Sequence, residues 1–191
     1  MLNLNVYDFD NTIYRGESAF DFFVYCVKKS PSQLKLLPVV LNTLIKYKRC
    51  KITHDELIKT AEKYALKFIS SINNPHNAVS EFWDKHQHKI YPYYLKNKKD
   101  DDVIISASPS FLLNEIANRL NIQNLMCSEV DEISGKIYSL CFADNKPVLF
   151  RQKYPNSAID NFYTDSLNDM PMINISQNAY MVKRGKLTKI K

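Results

Sequence analysis

The sequence has little glycine, no paired cysteines and no long apolar run. Only three of its 191 residues are glycine, and its four cysteines form neither a Cys-x-x-Cys pair nor a metal-binding spacing. We therefore expect reduced cysteines in the core of a cytoplasmic protein rather than a disulfide framework. No apolar run approaches the roughly 18 residues that span a bilayer. The first residues also lack the basic and apolar regions of a signal peptide.

Acidic residues are missing from one long segment, residues 22–54, which carries seven lysine or arginine residues. The rest of the chain has 19 basic and 20 acidic residues, so the net charge of +6 comes from this segment. A solvated helix face is the ordinary interpretation. Because the basic residues accompany an apolar stretch, contact with an anionic lipid surface is a second interpretation. Nucleic-acid binding is the weakest of the three interpretations, since no recognised binding module accompanies the charge.

Short apolar runs alternate with helical patterns along most of the chain. They predict strands at 2–7, 103–105, 125–130, 162–164 and 179–182, and a hairpin that turns at Ser134-Gly135 within 130–140. Helix signals follow at 108–120, where Ser108 is the expected N-cap, and at 146–154. Alternation of this kind is typical of a parallel sheet covered by helices.

A purely helical block separates the first two predicted strands. Its helix signals are the one-sided apolar pattern of 18–29, Ser30-Pro31, a capping box at 53–56 and a helix from Asn74-Pro75 to about 89, before Pro92 breaks the pattern. The block is too long for a simple crossover connection. We therefore expect an α/β protein with a Rossmann-like core at 1–16 and 96–191 and an inserted all-helical cap at 17–95. We expect the two to hinge at two chain connections, near 14–16, where Gly16 allows the backbone angles that a hinge needs, and near 91–97.

Polar side chains follow three of the predicted strands. Asp8 and Asp10 come directly after the first strand, Ser106 and Ala107 follow the second, and Asp165 and Asp169 follow the strand at 162–164. Ligands of open α/β sheets bind beyond the carboxyl ends of the strands, so we expect these residues to share one pocket. Lys146, at the start of a predicted helix, is expected to join them, with Lys153 as its rival for that role.

Four aspartates in one pocket require a compensating cation, because like charges at short range raise each other's pKa. Oxygen-only ligands suit Mg²⁺, which usually binds through one or two carboxylates together with a phosphate group. The hydroxyl of Ser106, the backbone N–H of Ala107 and the start of the following helix would suit the phosphate. This combination suggests covalent catalysis, in which one aspartate attacks phosphorus and the other acts as general acid and base.

Four short stretches resemble the four motifs of the haloacid dehalogenase-like hydrolases. They are Asp8-Phe9-Asp10-Asn11-Thr12, Ser106, Lys146 and Asp165-Ser166-Leu167-Asn168-Asp169. Their order, and the helical insertion after the first motif, are similar to those of the phosphoserine phosphatase-like branch. The resemblance implies a Mg²⁺-dependent phosphatase acting on a small phosphate ester.

The resemblance also implies a role for each motif residue. Asp8 would be the nucleophile and Asp10 the general acid and base. The metal would be held by the carboxylates of Asp8 and Asp165 and the backbone carbonyl of Asp10, with support from Asp169. The expected phosphate-binding residues are Ser106, Ala107, Lys146 and Asn168.

The sequence departs from the resemblance around the substrate. Ala107-Ser108 replaces the Gly-Gly of phosphoserine phosphatases, and no arginine in the cap matches their carboxylate-binding arginine. Glu17 lies where those enzymes bind the substrate's amino group, but it also fits the first turn of a helix. Two alternative functions use the same fold: a phosphotransferase with the same residues, and a non-catalytic binding protein. The presence of both Asp8 and Asp10 argues against the second.

Overall fold

A computed structural model of the chain describes residues 3–29, 34–35, 38, 42, 62 and 66–191. Seven strands form one mixed sheet in the order β4-β3-β2-β1-β5-β6-β7. They are β1 (Asn3–Tyr7), β2 (Val103–Pro109), β3 (Asn124–Val130), β4 (Ile137–Ser139), β5 (Ala158–Thr164), β6 (Ser176–Lys183) and β7 (Lys186–Lys189). The inner five are parallel, and β4 and β7 add antiparallel edges.

Six helices in the described ranges pack around this sheet. They are α1 (Ser18–Lys29), α2 (Pro75–His86), α3 (Pro92–Asn97), α4 (Ser110–Arg119), α5 (Asn145–Lys153) and α6 (Met170–Ile175). Short 3₁₀ turns at Gln87–Lys89 and Leu167–Asp169 continue α2 and precede α6. None of the helices in the described ranges is both long and apolar enough to cross a membrane.

The two faces of the sheet carry separate apolar clusters. On one face, Leu4 and Val6 of β1 pack with Phe162 of β5, Phe150 of α5 and Met172 of α6. On the other face, β1 and β2 pack against α1, α2 and α4. Burial on both faces explains why the central strands read as apolar runs. The α/β fold with a helix-covered sheet is thus as the sequence predicts.

Most predicted elements are present, with shifts at their ends. Asn74 caps α2, since its side chain accepts a hydrogen bond from the Asn77 N–H. Pro92 was expected only to break a helix, but it begins α3, a position that proline tolerates because the first helical N–H needs no partner. The predicted helices that open at Ser30-Pro31 and at 53–56 lie outside the described residues.

The prediction that Ser108 caps a helix is wrong. Strand β2 continues through Pro109, which pairs with Ser128 of β3, and α4 begins at Ser110. The helix has no side-chain cap at its first turn. The Ser108 hydroxyl instead donates to a carboxylate oxygen of Asp10.

The predicted cap and core meet closely in the described ranges. Trp83 of α2 is fully buried, and its indole N–H donates to the Leu112 carbonyl of α4 at 2.8 Å. The two chain connections expected at 14–16 and 91–97 also approach each other, because the Arg15 N–H donates to the Lys89 carbonyl and the Tyr91 N–H to that of Ile13. The division into core and cap stays a prediction.

Candidate active site

The chain turns sharply after β1 and returns to the sheet edge. The Asp8 N–H still donates to the Tyr163 carbonyl of β5 at 2.8 Å, which anchors Asp8 at the carboxyl end of the sheet. Asn11 then adopts the left-handed conformation, with a φ of 57°, and its N–H donates to the Gly16 carbonyl. Asparagine tolerates this conformation better than most residues, so the chain can turn directly after Asp10.

Lys146 lies between two aspartates. Its ammonium is 2.8 Å from a carboxylate oxygen of Asp8 and 2.8 Å from one of Asp169, and all three residues are buried. The second Asp169 oxygen accepts a hydrogen bond from the Thr164 hydroxyl at 2.8 Å. Asp169 is therefore fixed from both sides, and Lys146 is held against Asp8. Its rival Lys153 is exposed and lies near the Leu125 carbonyl instead.

Burial governs the protonation of this group. It raises the pKa of Asp8, while the Lys146 charge opposes the rise and the charges of Asp169 and Asp165 add to it. Burial also favours the neutral amine of Lys146, but the carboxylates of Asp8 and Asp169 outweigh it and raise the pKa of Lys146. The Lys146 charge is thus the main influence that favours the ionised form of Asp8.

Asp10 is held by donors from two different parts of the chain. One carboxylate oxygen accepts the backbone N–H of Ser18, at the start of α1, at 2.6 Å. The other accepts the hydroxyl of Ser108, at the end of β2, also at 2.6 Å. Burial raises the pKa of Asp10 to about 6, although both of these hydrogen bonds favour the ionised form. Such a pKa suits a group that gives and takes protons near neutral pH.

One cavity of about 420 Å³ brings most of the predicted residues together. Its lining residues are Asp8, Asp10, Glu17, Ala107, Phe142, Lys146, Asp165, Ser166, Leu167, Asn168 and Asp169. Glu17 accepts a hydrogen bond from the Asn11 side chain at 2.9 Å, which fixes its carboxylate at the wall. Ser106 is not part of the wall: it is 1% exposed, and its hydroxyl accepts the Ser108 N–H.

The lining has the chemistry of a Mg²⁺ site. Among the described residues, five acidic side chains and one lysine line the cavity, so negative charge is in excess. No three acidic, histidine or cysteine side chains in the described ranges already converge as a metal site. Mg²⁺ does not need three, because it usually takes one or two carboxylates and completes its shell with water and phosphate oxygens. The carboxylate residues Asp8 and Asp165 both line the cavity and are ligands of the kind that the ion takes.

Several residues of the site were not expected from the sequence. Ser18 and Thr164 hold Asp10 and Asp169, and Phe142 and Leu167 add apolar surface to an otherwise polar wall. Thr164 ends a strand two residues before a capping serine, Ser166, which is a signal for a polar turn. Nothing in the local sequence signals Ser18 or Phe142 as part of the site.

The fold is similar to those of several solved structures. A protein with unknown function from Bordetella pertussis Tohama I superposes with a TM-score of 0.76 at 17% identity, covering 94% of this chain and 89% of that one. A phosphoserine phosphohydrolase-like protein from Francisella tularensis superposes with a TM-score of 0.57 at 19% identity, covering 94% of this chain and 86% of that one. A phospho-aspartyl intermediate analogue of phosphoserine phosphatase superposes with a TM-score of 0.55 at 12% identity, covering 93% of this chain and 85% of that one.

At these identities the structural likeness shows the fold alone. A comparison with curated protein sequences finds no significant match. The family model of the haloacid dehalogenase-like hydrolases, however, matches residues 6–174, and the chain therefore belongs to the haloacid dehalogenase-like hydrolases.

Proposed function

We propose that the protein is a Mg²⁺-dependent phosphatase that hydrolyses a small phosphate monoester through an aspartyl phosphate on Asp8. One observation carries the proposal. Lys146 is held between Asp8 and Asp169 at the wall of the same cavity that Asp10 lines. A nucleophile, a fixed positive charge and a separately anchored acid are the parts that phosphoryl transfer through an aspartate requires.

In the first step, a carboxylate oxygen of Asp8 attacks phosphorus and the bond from phosphorus to the leaving oxygen breaks. Asp10 gives its proton to that leaving oxygen. The raised pKa of Asp10, about 6, keeps part of the population protonated near neutral pH. The leaving group departs as a neutral alcohol, and Asp10 is left ionised.

In the second step, ionised Asp10 takes a proton from a water molecule, whose oxygen attacks the same phosphorus atom. The bond to Asp8 breaks, inorganic phosphate forms, and Asp8 is again a carboxylate while Asp10 is again protonated. Protons and bonds balance over the cycle. A phosphotransferase would use the same two residues, with an alcohol in place of water, and this remains the alternative.

The remaining lining residues position the phosphate group. Lys146 offers an ammonium, and Ala107 and Asn168 lie on the same wall. Ser106 supports the backbone around Ala107, since its hydroxyl accepts the Ser108 N–H. A bound Mg²⁺ held by Asp8, Asp165 and the Asp10 carbonyl would neutralise phosphate oxygens and keep Asp8 ionised.

The predicted cap would recognise the part of the substrate beyond its phosphate group. Two of the solved structures are of phosphoserine phosphatase or a protein like it, which favours a small phosphate ester. Glu17, fixed by Asn11 at the cavity wall, would suit a cationic or hydroxyl group. The basic segment at 22–54 lies largely outside the described residues, so contact with anionic lipid stays a prediction.

Steady-state kinetics with p-nitrophenyl phosphate test the proposal. Uncatalysed hydrolysis of phosphate monoesters is among the slowest known reactions, so Asp8→Asn should remove turnover almost completely. Asp100→Asn, at an exposed loop position, is the matched control and should behave as wild type. Chelation with EDTA should abolish turnover and added Mg²⁺ restore it. Activity of Asp8→Asn within tenfold of wild type would contradict the proposal.

A further inference from the structure

Ser108 touches the proposed acid and base without being free to bind the substrate. Its hydroxyl lies 2.6 Å from one carboxylate oxygen of Asp10 and 3.1 Å from the hydroxyl of Ser18. Ser108 is 6% exposed and Ser18 is fully buried, so both contacts are shielded from bulk water. Hydrogen bonds to a charged group are stronger than neutral ones, and more so away from water.

The direction of these hydrogen bonds follows from counting protons. A serine hydroxyl has one proton to donate, and an ionised carboxylate can only accept. The Ser108 proton therefore goes to ionised Asp10. The Ser18 hydroxyl lies 3.1 Å from that of Ser108, and it also favours the ionised form of Asp10. Ser108 thus donates to Asp10, and the Ser18 hydroxyl lies beside this hydrogen bond.

Ser18 adds a second donor to Asp10 through its backbone. The backbone N–H of Ser18 donates to the other oxygen of Asp10 at 2.6 Å. The two carboxylate oxygens are thus held by separate donors, one from the end of β2 and one from the start of α1. A carboxylate held at both oxygens cannot rotate about its last bond without breaking one of them, so its position in the cavity is fixed.

We propose that Ser108 is a positioning residue for Asp10, and that its hydroxyl, supported by Ser18, fixes the carboxylate for proton transfer to the leaving group. The inference rests on the proposed function, because it assigns Ser108 to the proton-transfer step of that reaction. It also separates Ser108 from Ser106, whose hydroxyl accepts the Ser108 N–H. Ser108 does not bind phosphate in this assignment.

A role in proton transfer has a signature that a structural role lacks. The p-nitrophenolate anion leaves without needing a proton, whereas the anion of unsubstituted phenol is a much poorer leaving group. Loss of a well-placed acid should therefore harm phenyl phosphate more than p-nitrophenyl phosphate, two substrates of similar shape. The ratio of kcat/KM for the two substrates isolates this effect, because kcat/KM includes every step up to departure of the leaving group.

The test compares this ratio in wild type and five variants. Ser108→Ala should lower kcat/KM for phenyl phosphate by roughly 10- to 100-fold more than for p-nitrophenyl phosphate, a part of the 10²- to 10⁴-fold that a general acid supplies. Ser18→Ala should shift the ratio in the same direction but less, since it keeps the backbone N–H. Ser108→Thr keeps the hydroxyl and should restore the ratio.

Ser110→Ala is the matched control. Ser110 is a serine of the same segment, also 6% exposed, but its hydroxyl contacts the backbone of Val130 and not Asp10. It should leave the ratio as in wild type. If Ser108→Ala does not fold, Ser108→Gly removes the same hydroxyl with a smaller residue and carries the same expectation.

The outcomes separate the inference from the proposed function. Suppose that Asp10→Asn changes the ratio but Ser108→Ala lowers kcat/KM equally for both substrates. Ser108 is then only structural, and the inference is wrong while the proposed function stands. If Asp10→Asn leaves the ratio unchanged, Asp10 is not the acid, and both the mechanism and the inference are wrong. The inference is supported if Ser108→Ala changes the ratio while Ser108→Thr and Ser110→Ala keep the wild-type ratio.

Discussion

Removal of the Lys146 charge should destabilise the folded protein strongly. The residue is 3% exposed, and its ammonium lies 2.8 Å from carboxylate oxygens of both Asp8 and Asp169, which are themselves 7% and 5% exposed. Methionine has a similar length and fits an apolar gap, but it carries no charge. Lys146→Met therefore leaves two buried carboxylates without this counter-charge, and breaking a buried pair in this way costs about 3–5 kcal/mol.

The cost should depend on pH in a defined direction. In the wild type the pKa of Lys146 is raised, so its stabilising contribution is complete below the unfolded lysine pKa of about 10.4 and constant from about pH 5.5 to 8. In the variant, the pKa of Asp8, already raised by burial, loses its main opposing influence. An acid with a raised folded pKa favours the folded state at low pH and disfavours it as the pH rises.

The destabilisation by Lys146→Met should therefore be larger near pH 8 than near pH 5.5, because Asp8 in the folded variant keeps its proton to a higher pH than Asp8 in the folded wild type. Urea unfolding without divalent metal, at both pH values, measures it. Lys153→Met, at an exposed position of the same helix, is the control and should change stability by less than about 0.5 kcal/mol. The reasoning is refuted if Lys146→Met is as stable as Lys153→Met, or if its deficit does not change with pH.

Three further predictions concern the acid, the hinge and the basic segment. Asp10→Asn should lower kcat by roughly 10²- to 10⁴-fold. In metal-free urea unfolding it should also stabilise the fold by about 1–2 kcal/mol at neutral pH, because the pKa of Asp10 is raised to about 6, with the gain vanishing near pH 4. Gly16→Ala should cost about 1–3 kcal/mol by the same assay, since Gly16 has a φ of +135° and a Cβ there would lie 2.9 Å from Asp21; a neutral effect would contradict this. Wild-type protein should cosediment with anionic liposomes at low salt and be released by salt, each basic contact contributing about 1 kcal/mol; absence of binding at low salt removes the lipid interpretation.

The sequence predicted the parts of the fold that depend on local pattern. Apolar runs marked the central strands because those strands are buried on both faces, and Asn74-Pro75 marked the start of α2 because the cap is a local interaction. Strand β7 was not predicted, because all four of its residues are exposed and no apolar pattern marks it. The first half of β5 was missed for a related reason, since Asp160 and Asn161 interrupt its apolar run.

The site was predictable as a set of residues but not as a network. Asp8 and Asp10 were evident from their spacing after β1, and the edge of a parallel sheet brings strand ends together. The partners of Asp10 were not evident, because Ser108 is 98 residues away in the chain and Ser108-Pro109 imitates a helix start. Only the continued pairing of β2 with β3 shows that the Ser108 hydroxyl is available to Asp10 rather than to a helix.

Trapping the phosphorylated enzyme tests the central claim most directly. The Asp10→Asn variant retains Asp8 but lacks the base that activates water, so with p-nitrophenyl phosphate and Mg²⁺ it should release p-nitrophenolate once and then stall. Acid quenching followed by peptide mass mapping should find one phosphoryl group on Asp8. Continued release of p-nitrophenolate with Asp8 unmodified, or a phosphoryl group on any other residue, would contradict the account.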